Sequence, residues 1–265
     1  MSDTEEIGLG LDSVFTEPPR PPSPEPTTVT YVREAQDGVN NDWSEVSIRL
    51  VGSHPLWGHY LWNASRAFAS YLNAHPELYR DRAVLELGAG GGLPGIVAAK
   101  NGARTVVLTD YPDASLLENL NFNVSKNVPS SSQESLRVKV KGYIWGRPVG
   151  PLLESLDVDR TKYDLIIMSD LIFNHSQHDA LLKTCEETLS SNKSNEGAEP
   201  GLLVFYTHHR PHLAHRDMEF FSKAKERGWD YEEILTQRFP PMFPEDPGEE
   251  EVRATVHGWR LTRRS

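Results

Sequence analysis

One cysteine, Cys185, stands in 265 residues, so no intrachain disulfide can form and no multi-cysteine zinc or iron-sulfur site can be assembled. That usage suits a reducing compartment. Long apolar runs are equally scarce: LIIM at Leu165 to Met168 and GLLVFY at Gly201 to Tyr206 fall far short of the roughly 18 residues that span a bilayer. No membrane partner is expected. The opening MSDTEEIGLG has neither the cationic nor the apolar region of a secretory signal, and a cytosolic location is expected. Positive charge is the third shortage. Against 38 Asp and Glu stand 27 Lys and Arg, a formal net charge of -11, which opposes a surface built to neutralise phosphates and hence a nucleic-acid partner. Such a field suits a cationic substrate or serves solubility alone.

Hydrophobic residues make up 38% of the chain, enough for a real core. Residues 1–30 include Pro18, Pro19, Pro21, Pro22, Pro24 and Pro26 and read as a flexible arm. Residues 31–265 read as one domain whose first part, 31–72, is a cap. In it TVTYV and EVSIRLV flank the turn-forming DGVNND as a β-hairpin. Pro55 to Leu72 follows with Trp57, Tyr60, Leu61, Trp62, Ala64, Phe68 and Tyr71 near helical spacing.

Beyond the cap, strands and helices alternate. The strands are AVLEL, TVVLTD, LRVKVKGYIW, YDLIIMSD, GLLVFYTHH, YEEILTQRF and ATVHGWRLT; helices LPGIVAAKNG, ASLLENLNFNVS, HDALLKTCEETL and MEFFSKAKERG lie between the first six. Such alternation predicts an α/β fold, a doubly wound seven-stranded sheet that is mostly parallel. With only PPMFPEDPGEEEV between them, the last two strands should form an antiparallel hairpin at the sheet edge.

The turn after AVLEL carries Gly88, Gly90, Gly91 and Gly92 before a helix, the place where nucleotide-like ligands meet a parallel sheet. Leu93 occupies the position of the third dinucleotide glycine, and no Lys-Ser or Lys-Thr pair follows, so neither the dinucleotide nor the phosphate-loop pattern is met. Asp110 ends the next strand 20 residues after Gly90, where a carboxylate can accept both ribose hydroxyls. With no Lys or Arg in the turn, an adenosine ligand without phosphates fits better than a dinucleotide. S-adenosylmethionine is such a ligand.

Through LELGAGGGLPG, TDYP and YDLIIMSD the chain resembles the seven-β-strand methyltransferases from Val46 onward. Through SHPLWGHYLWNAS, TDYPD, GYIWG and SDLIFNHSQH it resembles the fungal branch that methylates the N-terminal glycine and adjacent lysine of translation elongation factor 1-alpha. The resemblance implies S-adenosylmethionine as cofactor and elongation factor 1-alpha as protein substrate. It implies that Gly88, Ala89 and Gly90 contact the methionine part and Asp110 the ribose, that Trp57 and Trp145 flank the cofactor, and that Ser169 touches it at the methyl-transfer point. For either tryptophan taken alone, burial as core is the commoner fate.

Methyl transfer from a sulfonium needs a positioned neutral amine, and Asp170 is the candidate catalytic residue that would hold it, although an aspartate at a strand end also serves as a cap. SDLIFNH stands where many amine-directed methyltransferases carry Asn-Pro-Pro-Tyr. His208, His209, His212 and His215 lack the spacing of a closed zinc site, so no metal is expected; the resemblance places THHRP near the substrate entrance. The acidic run Glu245, Asp246, Glu249, Glu250 and Glu251 could attract a cationic peptide or be a solvated loop. A monomer is expected. The competing functions are a nicotinamide N-methyltransferase, a cofactor-binding scaffold without catalysis and, more weakly, a dehydrogenase.

Overall fold

A computed structural model of the chain describes residues 24–34, 43–128, 137–191 and 198–264. The expected arm up to Ser23, the DGVNND turn and the serine-rich loop at 130–135 lie outside the described residues.

Two strands, β1 (Thr27–Val32) and β2 (Glu45–Leu50), pair antiparallel from Thr27 opposite Leu50 to Val32 opposite Glu45. The main sheet contains β3 (Ala83–Leu87), β4 (Thr105–Asp110), β5 (Val138–Gly142), β6 (Leu165–Ser169), β7 (Gly201–Thr207), β8 (Trp229–Arg238) and β9 (Thr255–Arg263). Its spatial order is β5-β4-β3-β6-β7-β9-β8. Pairings from β5 through β7 are parallel, and β9 runs antiparallel between β7 and β8. The expected fold class is therefore observed, with β8 as the free edge of the C-terminal hairpin. Chain order reverses between β3 and β6, and a ligand crevice belongs above the carboxyl ends of strands at such a point.

The helices are α1 (Asn63–Ala74), α2 (Leu93–Lys100), α3 (Ala114–Asn127), α4 (Gly150–Leu153), α5 (His178–Thr188), α6 (Ala214–Glu226) and α7 (Glu250–Ala254). Strand alternation divides the core in two. Val84, Val106 and Ile167 pack with Phe68 and Leu72 of α1 and Ile96 of α2; Leu85, Val107 and Ile166 pack with Leu182 of α5 and Phe220 of α6. Both faces are thus covered, which is why β3 and β4 read as nearly continuous apolar runs.

Helix α3 meets the small hairpin in an unusual way. Asn119, Asn123 and Asn127 recur at one-turn intervals and bond the backbone of β2. Asn127 Oδ1 accepts from Ser47 N at 2.9 Å and Asn123 Oδ1 from Arg49 N at 2.8 Å, while Asn123 Nδ2 donates to Arg49 O at 2.8 Å and to Gly91 O at 3.1 Å. The helix thereby supplies the hydrogen bonds that a third strand would give. A Cβ at Gly91 would lie 2.5 Å from Ile48 Cγ2, so glycine there lets the hairpin rest directly on the glycine turn.

Four expectations are corrected. The helix expected from Pro55 begins only at Asn63, because Pro55 and Gly58 punctuate the segment and Trp57 adopts φ +62°. LRVKVKGYIW leaves the sheet after Gly142, freeing Tyr143 to Trp145. GLLVFYTHH likewise stops pairing at Thr207, and part of the acidic run opens α7 at Glu250 and Glu251, where negative charge suits a helix start.

Candidate active site

A cavity of about 590 Å³ opens above the carboxyl ends of β3, β4, β5 and β6. Gly88, Ala89 and Gly90 form its floor, Asp110 and Tyr111 one side, Tyr143 to Trp145 another, and Ser169 to Leu171 with Phe173 the far end. Residues Pro55 to Leu61 with Trp62 cross over it. Every site residue expected from the sequence lines this one cavity: Trp57, Gly88, Ala89, Gly90, Asp110, Trp145, Ser169 and Asp170.

Gly88, Gly90 and Gly92 have φ of +59°, +53° and +78°, the region that glycine enters freely. Gly90 N donates to Asp110 Oδ2 at 2.7 Å, and Tyr111 N donates to Asp110 Oδ1 at 2.7 Å. The carboxylate thus braces the turn and keeps a second lone pair on each oxygen for hydroxyl donors. Burial pushes the Asp110 carboxyl above the ordinary aspartate value, opposed by these two N–H donors and by His54. A Cβ built at Gly90 meets nothing within 4 Å, so the turn is cradled around space rather than protein. The ring of Trp145 passes 3.1 Å from a Cβ placed on Gly88. Trp57 is 48% exposed at the rim with Leu56, and its ring stacks towards His59 at a centroid separation of 6.0 Å. Trp57 is thus outside the core, whereas Trp145 is half-buried, lining the cavity while packing against the core cluster of α5 and α6.

The far end is built differently. Asp170 is 5% exposed and sits at φ +58°, a left-handed conformation that aspartate tolerates better than most residues. Its backbone N–H bonds Phe205 O at 2.7 Å; Oδ1 accepts from Thr207 N at 3.3 Å, and Oδ2 lies 2.9 Å from His209 Nε2. Burial alone would lower the His209 pKa, but the charge and hydrogen bond of Asp170, helped by Asp217 and opposed by Arg210, raise it above the ordinary histidine value. Trp62 packs on the His209 ring at 4.8 Å between centroids, and Phe243 packs on Trp62 and Tyr60. Ser169 Oγ is buried without a hydrogen-bond partner.

The four histidines do not act together. His208 turns away to Asp217, with Nδ1 2.6 Å from Oδ2, and His175 Nε2 lies 2.6 Å from Oδ1 of the same carboxylate. His212 and His215 are exposed. The pairing of His209 with Asp170, 39 residues apart, has no local signature in the sequence. Only the position of THHRP at a strand end pointed towards it.

A positive-φ glycine turn and an aspartate at the next strand end, set at the switch point of this seven-stranded sheet, define a methyltransferase of the type that binds an adenosine-bearing donor. The lysine methyltransferase family profile matches residues 42–227, and the chain belongs to that family. It is 48% identical over 275 residues to the protein N-terminal and lysine N-methyltransferase EFM7 of Cryptococcus neoformans var. neoformans serotype D (strain B-3501A), covering 99% of this chain and 91% of that protein. To the Schizosaccharomyces pombe protein of the same name it is 42% identical, covering 99% and 98%. A candidate RNA methyltransferase from Pyrococcus horikoshii shares the fold, with TM-score 0.51, 17% identity and coverage of 80% and 88%.

The chain is a protein methyltransferase, and its cofactor is S-adenosylmethionine. The residues present fit that molecule: a cradle at Gly90, a carboxylate at Asp110 with lone pairs left for hydroxyl donors, an aromatic side chain at Trp145 on the cavity wall and an unpartnered hydroxyl at Ser169. Among the described residues no helix is long and apolar enough to cross a membrane.

Proposed function

We propose that this enzyme methylates the N-terminal glycine amine and the adjacent lysine of translation elongation factor 1-alpha, and that it does so in the cytosol. S-adenosylmethionine would supply a methyl group made electrophilic by a positively charged sulfur. Gly88, Ala89 and Gly90 would hold its methionine part, Asp110 its ribose, and Trp57 and Trp145 would flank it. Asp170 would accept a hydrogen bond from the incoming amine and aim its lone pair.

The observation that carries this reading is the two-ended cavity. One end has the glycine turn and ribose acceptor; the other has a buried carboxylate beside an aromatic wall. An amine is the group that such a carboxylate receives best, and proximity and orientation supply most of what a methyl transfer needs. The names of the similar proteins support a protein amine as acceptor. The choice of elongation factor 1-alpha rests on the SHPLWGHYLWNAS and SDLIFNHSQH segments, which are the rim and far end of the cavity.

Acceptor competition tests the reading. Elongation factor 1-alpha with a free N-terminal glycine should be methylated at a kcat/KM far above that for nicotinamide, and acetylation of its N-terminus should remove the N-terminal product. Equal or better turnover of nicotinamide would overturn the proposal.

A further inference from the structure

A buried carboxylate that receives a substrate amine poses a problem of its own. A bare negative charge stabilises the ammonium form, whereas only the neutral amine has a lone pair with which to attack. The structure carries a feature that answers it. Asp170 does not stand alone: its Oδ2 is 2.9 Å from Nε2 of His209, whose side chain is 16% exposed and is walled by Trp62. A buried carboxylate with a 4% exposed side chain is expected to be paired, and this imidazole is the titratable group that touches it.

The surrounding charges support a cationic ring. Asp217 faces the His209 region from α6, but its two oxygens are taken by His175 from the loop after β6 and His208 from the end of β7. Arg210, next in the chain, opposes protonation, and Asp170 outweighs it. The carboxylate of Asp170 is thus matched to His209, and that of Asp217 to the other two histidines.

We propose that His209 is a positioning residue for the transfer: its protonated ring, bonded to Asp170, cancels the carboxylate's charge, so the cavity offers the amine an acceptor without stabilising its ammonium form. This rests on the reading of Asp170 as the amine's partner. The amine arrives as R-NH3+ and gives one proton to solvent. Its lone pair then forms the N–C bond while the methyl group's bond to the donor sulfur breaks, that bonding pair staying on sulfur. The methylated ammonium sheds a proton to solvent before another round.

The experiment pairs His209→Gln, which keeps a donor near the Nε2 position but carries no charge, with Asp170→Asn. At saturating donor and with elongation factor 1-alpha as acceptor, His209→Gln should move the midpoint of the kcat pH profile up by about one unit, a loss of about tenfold near pH 7, with turnover near wild type at pH 9.5. In ring NMR titrations without donor or acceptor, His209 should titrate above the ordinary histidine value in wild type and lower in Asp170→Asn. An equal loss at every pH, an unmoved profile, or a His209 ring that titrates at or below the ordinary value would each overturn the proposal. Wild-type turnover in Asp170→Asn would instead overturn the role of Asp170 itself, whatever the ring titration shows.

Discussion

Glu86 is the penultimate residue of β3, two positions before Gly88 of the glycine turn, and is 1% exposed. Its Oε2 accepts from Gly95 N at 2.9 Å and its Oε1 has no hydrogen-bond partner. Burial drives its carboxyl from an ordinary 4.5 up to about 8, helped by Asp110 and opposed by the Gly95 N–H. The folded-state value lies above the unfolded one, so the stability linked to this proton is complete below about pH 4.5 and is lost as pH rises through about 8. At roughly 1.4 kcal/mol per unit, the loss is about 3 kcal/mol by pH 7 and at most about 5 kcal/mol above pH 8.

Glu86→Gln should abolish that slope. Its amide oxygen can replace Oε2, and its NH2 group is left as unpartnered as the acid proton it replaces. In urea denaturation the variant should be within about 1 kcal/mol of wild type at pH 5 and more stable by about 2 to 5 kcal/mol at pH 8.5. The difference between the two proteins isolates this one group from every other titration. A difference that stays constant from pH 5 to 8.5 would refute the reasoning.

Asp110→Ala should weaken S-adenosylhomocysteine binding at least about a hundredfold in calorimetry, since it removes ionised acceptors for hydroxyl donors; an unchanged affinity would refute the ribose assignment. Gly90→Ala places a methyl group in the empty cradle at a positive φ, so it should cost about 1 kcal/mol in folding yet lower cofactor affinity more than about tenfold. A fully retained affinity would place the ligand elsewhere. Asn123→Leu removes three bonds to Arg49 and Gly91 backbone groups and should destabilise by about 3 to 5 kcal/mol, whereas Asn121→Leu on the exposed face should stay within about 0.5 kcal/mol. Equal effects in the two asparagine variants would sink the account of α3 as a substitute strand.

The parts of the fold legible in the sequence are those written by local rules. The period changes between AVLEL, LPGIVAAKNG and TVVLTD mark β3, α2 and β4, and the 20-residue step from Gly90 to Asp110 marks a ligand end because strand, turn and helix lengths are nearly fixed. The segment from Pro55 to Trp62 departs from the expected helix because its aromatic residues only mimic helical spacing. They are apolar because they cross the cavity, and Pro55 with Gly58 overrides the periodicity. Asn119, Asn123 and Asn127 read only as polar positions on a helix, since nothing local announces that β2 needs partners. The His209 pair with Asp170 depends on β6 and β7 lying side by side, with Ser169 opposite Phe205. Such tertiary adjacency has no local signature. The same holds for Asp217, which gathers His175 and His208 from two separate loops.

The most direct test of the central claim is tandem mass spectrometry of elongation factor 1-alpha, with its initiator methionine removed, after incubation with this enzyme and S-adenosylmethionine. The account predicts added methyl groups on the N-terminal glycine amine and on the adjacent lysine, with far less product in a parallel reaction containing Asp110→Ala at limiting S-adenosylmethionine. Methyl groups confined to other positions, or none from a preparation that binds S-adenosylhomocysteine, would contradict it.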